Sequence, residues 1–96
     1  MSICNLSLQV IPIVPEKEIY QTVDKVIEFI KNSGLKYTVG PMETTIEGEL
    51  DDLLNIVKEA QLLLAAAGVN RICSIVKIDY SAKGVTIDEK IYKYKI

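Results

Sequence analysis

The sequence predicts an α+β fold, a four-stranded antiparallel sheet with two helices packed on one face. Three observations carry this expectation. Apolar residues alternate in strand-like stretches and recur at helical spacing in two longer ones. The resulting order is strand, helix, strand, strand, helix, strand. Glycine or proline punctuates the junctions after the first strand, the second strand and each long helix.

The first strand covers Ile3 to Ile13. Cys4, Leu6, Leu8 and Val10 point one way, and Asn5, Ser7 and Gln9 point the other. Pro12 and Pro15 end it, with Pro15 suited to the first position of a helix. Ile19, Val23, Val26, Ile27 and Ile30 form the inner stripe of that helix, and Gly34 is its expected left-handed terminator. Glu16 and Glu18 complement its positive end, and Lys31 lies near its negative end.

The second strand spans Lys36 to Gly40 and the third Glu43 to Glu49, joined through Gly40-Pro41. A second helix begins at Leu50 or Asp51, with Asp51 and Asp52 in its first turn. Leu53, Val57, Ala60, Leu64 and Ala67 line its inner side, Ile56 and Leu63 widen that side, and Gly68 stops it. Arg71 to Tyr80 is the fourth strand. Thr86 and Glu89 have capping-box spacing, which predicts a short C-terminal helix from Ile87 to Tyr92 with Ile87, Ile91 and Tyr94 on a weak apolar side. This is the split βαβ, ferredoxin-like plan, and the crossover rule favours the spatial order 4-1-3-2. One domain, residues 1–96, accounts for the chain.

Composition narrows the function. A net charge of −2 and few clustered cations argue against nucleic-acid binding. The longest apolar run, Leu62 to Ala67, is far short of the ~20 residues that span a bilayer. No basic region followed by an apolar core opens the chain, so a cytoplasmic location is expected. The absence of histidine removes the commonest general base and the commonest metal ligand. No catalytic residue and no metal site are assigned. Cys4 and Cys73 are expected to be buried free thiols.

The site candidates come from polar groups in strand context. Thr44, Thr45 and Glu47 lie between Val39 and Gly48, and the predicted topology brings them beside Ser7 and Gln9. Threonine is also an ordinary strand residue, and Glu47 also suits a solvated face or an intersubunit ion pair. Lys77 and Asp79 read as a cross-strand charge pair, and Lys90, Lys93 and Lys95 as a solvated face. The sheet face away from the helices carries Asn5, Ser7, Gln9, Ile11, Thr45 and Glu47, fewer charges than a fully solvated face. Self-association through that face or the sheet edges is therefore expected.

The string Gly40-Pro41-Met42, with Thr44, Ile46, Glu47 and Gly48 following, resembles the thiamine-binding proteins of the YkoF-like type. The likeness extends to Val10-Ile11-Pro12, Ile78-Asp79-Tyr80 and Ile87-Asp88-Glu89-Lys90, and so covers nearly the whole chain. Glu43 stands where the family often has a small residue. The resemblance implies ferredoxin-like subunits in dimers or tetramers that bind thiamine, or its hydroxymethylpyrimidine part, without catalysis and without a cofactor. Ser7, Gln9, Met42, Thr44, Thr45 and Glu47 are the ligand candidates that follow. Glu47 suits an aminopyrimidine edge when protonated and a thiazolium cation when ionised. A regulatory or protein-interaction module is the alternative, and an enzyme using Glu47, Lys77 or Asp79 as acid or base is a third reading.

Overall fold

The pleat of the first strand sorts its side chains between two environments, and the rest of the fold is arranged around that division. The computed structural model describes residues 2–94. Its elements are β1 (Ile3–Pro12), α1 (Ile19–Asn32), β2 (Lys36–Val39), β3 (Thr44–Glu49), α2 (Leu50–Ala66), β4 (Ile72–Asp79) and α3 (Ile87–Ile91). The strands lie in the order β2-β3-β1-β4, every pair antiparallel, which is the predicted ferredoxin-like topology.

Cys4, Leu6 and Leu8 of β1 turn toward the helices, opposite Gly48, Ile46 and Thr44 of β3. They pack with Val26 and Ile30 of α1 and Leu53, Ile56, Ala60 and Leu64 of α2 in one core. Burying such side chains contributes roughly 1.5–3 kcal/mol each. Gly34 and Gly68 end the long helices with φ of 81° and 94°, as a left-handed terminator requires. Pro15 does not open α1. It precedes a 3-10 turn, Glu16–Glu18, and α1 begins at Ile19.

Other expectations need correction. Ala67 is exposed because α2 ends at Ala66, whereas Ile56, placed beside the stripe, is fully inside it. Cys4 is buried, but Cys73 is exposed, because β4 is an edge strand with nothing over its side of the sheet among the described residues. Burial, with a smaller push from Asp79, raises the pKa of the Cys4 thiol.

The larger departure is α3. The second face of the sheet is not left wholly open, because α3 closes one end of it. A single row crosses the sheet there: Lys36, Glu47, Asn5 and Asp79 are successive cross-strand partners. Glu47 Oε1 accepts from the Ile87 backbone N–H at 2.6 Å and from Asn5 Nδ2 at 3.4 Å. Lys90 Nζ donates to Asn5 Oδ1 at 2.8 Å and pairs with Asp79 at 2.6 Å. Lys36 pairs with Asp88. The predicted capping box of Thr86 and Glu89 is formed as well.

Asp79 therefore pairs with Lys90 and not with Lys77, which lies two residues away on the same strand and faces Ser7. Lys90 is exposed, as expected, yet it is also tied to Asn5 and Asp79. Tyr94 is exposed and does not join the apolar side of α3; Lys95 lies outside the described residues.

The hydrogen bond to Asp88, with support from Glu47, raises the pKa of Lys36. A raised lysine pKa contributes stability that is complete at neutral pH and is lost as the pH climbs through the folded value. Removing the acceptor at the centre of the clasp should have a larger effect. Glu47→Ala leaves the Ile87 amide and Asn5 Nδ2 without their acceptor and is expected to cost about 1–3 kcal/mol. Urea unfolding measures that loss. Amide exchange should localise it to residues 87–91, and an unchanged exchange rate there would show that α3 is held by something else.

Candidate functional site

The β2–β3 connection is short because Gly40 and Glu43 nearly touch. The Gly40 N–H donates to the Glu43 carbonyl at 2.8 Å, and a Cβ on Gly40 would lie 2.9 Å from that same oxygen. Gly40 is thus required for room and not for a left-handed angle, since its φ is not positive. Pro41 and Met42 ride on the outside of this turn, both exposed.

The turn overhangs the end of β1 and the flank of α1, and a cleft of about 450 Å³ opens between them. This lies within the ~300–1,000 Å³ typical of small-molecule sites. Its walls are apolar: Val10, Ile19, Val23 and Ile27, with Met42 at the turn. Thr44 borders it from β3, and Gln9 borders it from β1. Two carboxylate residues, Asp24 and Glu43, stand along it, and no lysine or arginine is among its described lining residues. Such a lining favours a flat, weakly polar body and a positive charge over an anion.

The cleft brings together Met42 and Thr44 of the candidates drawn from the sequence; Gln9 borders it only along its strand, because β1 alternates and turns the Gln9 side chain with Ser7 to the other face. It does not include Ser7, Thr45 or Glu47. Ser7 lies opposite Thr45, and Thr45 opposite Thr38, in a hydroxyl-bearing row on the other face that ends at Lys77. Thr44 opposes Leu8, so it belongs to the helix side and is 5% exposed. Glu47 is occupied by α3. Tyr37 packs against the core, consistent with its place opposite Ile46.

Sequence reasoning missed Asp24 and the cleft wall. Tyr20 and Asp24 are one helical turn apart on α1, at positions that read as solvent-facing. Only the packing of α1 beside the β2–β3 turn makes Asp24 part of a concave surface.

Comparison with known proteins decides the family. Residues 6–95 match the sequence profile of the family described as "Thiamine-binding protein". The chain belongs to the thiamine-binding protein family. A UPF0045 protein of Clostridium perfringens is 55% identical over 95 residues, which is 99% of this chain and 100% of that one. A DUF77 domain structure from Bacillus cereus superposes with a TM-score of 0.90 at 46% identity, covering 98% of this chain and 91% of the other. A Thermotoga maritima protein provisionally assigned to thiamine biosynthesis or salvage gives a TM-score of 0.91 at 38% identity, with 97% and 99% covered. Among the described residues no cluster suited to a metal ion occurs, and no helix is long and apolar enough to cross a membrane.

The turn geometry makes Gly40→Ala a direct probe. The added methyl group meets a backbone oxygen, which cannot rotate away, so the turn must shift. The expected cost is about 1–3 kcal/mol of stability, visible as a lowered melting temperature. Wild-type stability in this variant would mean that the turn is looser than its hydrogen bond implies. Thiol accessibility gives an independent check on the placement of the cysteines. Cys73 should react with a maleimide in the native protein, while Cys4 should react only after unfolding.

Proposed function

We propose that this protein binds thiamine, or its hydroxymethylpyrimidine part, in the cleft beneath the β2–β3 turn, and that it does so as a carrier, buffer or sensor without catalysing a reaction. The observation that carries the reading is the lining: apolar walls, Thr44 as a polar group, and carboxylates without a cation. Thiamine joins an aminopyrimidine to a positively charged thiazolium. The pyrimidine suits Val23, Ile27 and Met42 for contact and Thr44 for hydrogen bonding. Asp24 and Glu43 suit the cation. Membership of the family supports the choice of ligand.

Ser7 and Thr45 lie on the other sheet face and act there in assembly. Glu47 contributes by fixing α3. The subunits form a homo-oligomer, a dimer or a tetramer, in the cytoplasm, because residues such as Ile75, Ile78 and Tyr80 leave apolar surface exposed on β4 and just beyond it. No other cofactor and no nucleic acid enters this reading.

Calorimetry with thiamine and with hydroxymethylpyrimidine tests it. Binding of either should release or absorb heat and raise the melting temperature by mass action. Thr44→Val keeps the shape and removes one hydroxyl. Loss of a neutral hydrogen bond of ~0.5–1.5 kcal/mol would weaken both ligands about twofold to tenfold. Asp24→Asn should weaken thiamine up to about fivefold and leave the uncharged pyrimidine nearly unaffected, as the loss of an exposed charge pair of ~0.2–1 kcal/mol predicts. No heat and no thermal shift at millimolar ligand would end this reading and leave the interaction module in its place.

A further inference from the structure

Two strongly exposed apolar side chains flank the same cleft. Tyr20 of α1 is 85% exposed, Met42 of the β2–β3 turn is 70% exposed, and both line the space between them. Neither belongs to the core. Single exposed apolar residues are ordinary, but two on opposite rims of one concavity form a contact surface.

Charge is arranged around the same opening. Asp24 lies one helical turn from Tyr20 on α1, and Glu43 stands beside Met42 on the other rim. Among the described residues neither carboxylate belongs to an ion pair. Lys25, next to Asp24 in the chain, lines a separate groove beside Leu63 of α2 and not this cleft. At the inner end, Thr44 is almost fully buried, yet its hydroxyl makes no hydrogen bond among the described residues. No buried side-chain nitrogen or oxygen is left without a partner there, so this hydroxyl is not sealed in the core and opens onto the cleft.

We propose that Tyr20, Asp24 and Glu43 form a rim that selects a cationic heteroaromatic ligand and rejects its phosphate esters. This deepens the thiamine-binding reading above and rests on it. An aromatic face attracts a cation through its quadrupole. Tyr20 supplies that face, Met42 adds a polarisable contact from the opposite rim, and the two carboxylates supply the counter-charge. With the pyrimidine at Thr44, the thiazolium is left at the rim, and the hydroxyethyl arm hangs from that same ring. A phosphate on the arm carries close to two negative charges at neutral pH. It would be tethered next to the carboxylates that hold the ring, with no lysine or arginine among the described lining residues to receive it. The start of α1 does not rescue it. A helix N-terminus attracts anions, but Glu16 and Glu18 already stand at this one.

Calorimetry on the full chain with thiamine, thiamine monophosphate and hydroxymethylpyrimidine tests the rim. The monophosphate should bind at least about tenfold more weakly than thiamine. The double variant Asp24→Asn, Glu43→Gln should narrow that gap to about threefold, and added salt should narrow it in the wild-type protein. Tyr20→Leu should weaken thiamine about twofold to fivefold, and Tyr20→Phe, which keeps the ring, should recover most of that loss. The uncharged pyrimidine should respond to neither change at position 20. Equal affinity for thiamine and its monophosphate, or a Tyr20→Leu variant without a loss specific to thiamine, would overturn the rim and leave thiamine binding in place. Absence of heat with thiamine and with the pyrimidine alike would remove the binding reading, and the rim with it.

Discussion

The register of β1 against its two neighbours is the constraint on which the rest of the structure depends. β1 lies between β3 and β4, so each of its side chains belongs to a row running across the sheet. The Leu6 row, with Tyr37, Ile46 and Ile78, faces the helices. The Asn5 row, with Lys36, Glu47 and Asp79, faces the other way and receives α3. A slip of β1 by one residue would exchange its members of the two rows. It would drive Asn5 of β1 into the core and Leu6 into the clasp, away from Glu47. Both the hydrophobic core and the polar attachment of α3 penalise the same error, so the register is held from two sides.

The alternation of β1, the helical stripes and the capping box were legible because each is a local pattern with a fixed period. The strand order followed from the element order and the crossover rule. What escaped the sequence was the contact between distant segments. Glu47 looked like a carboxylate in need of a ligand because its true partner, the Ile87 amide, lies forty residues away and carries no side-chain signal. Lys90 looked solvated for the same reason, since Asn5 and Asp79 meet it only after folding. Cys73 was misplaced because an alternating apolar strand looks alike at the centre and at the edge of a sheet.

The Gly-Pro-Met string shows the same limit at the site itself. It is contiguous in sequence, yet β3 alternates. Thr44, Ile46 and Gly48 turn toward the helices, and Thr45 and Glu47 turn away. One string therefore supplies a wall of the cleft, part of the core and the acceptor that anchors α3. The resemblance identified the family correctly because the string is short and all of it is constrained. The residues it groups into one site lie on opposite faces of β3.

That separation bears on how the proposed ligand binding would connect to the rest of the molecule. The cleft lies under the β2–β3 turn at one end of β3, and the α3 clasp lies over the other end on the opposite face. β3 is only six residues long and paired on both sides, so it links the two as a rigid element. Tightening the turn around a ligand fixes Thr44, and the strand transmits position to Glu47 through three peptide units. A strand held this way has little freedom to twist at one end without moving the other. Ligand in the cleft should therefore slow amide exchange at residues 87–91, although no ligand atom reaches them. Exchange that changes around the turn alone would show that the two ends of β3 behave independently.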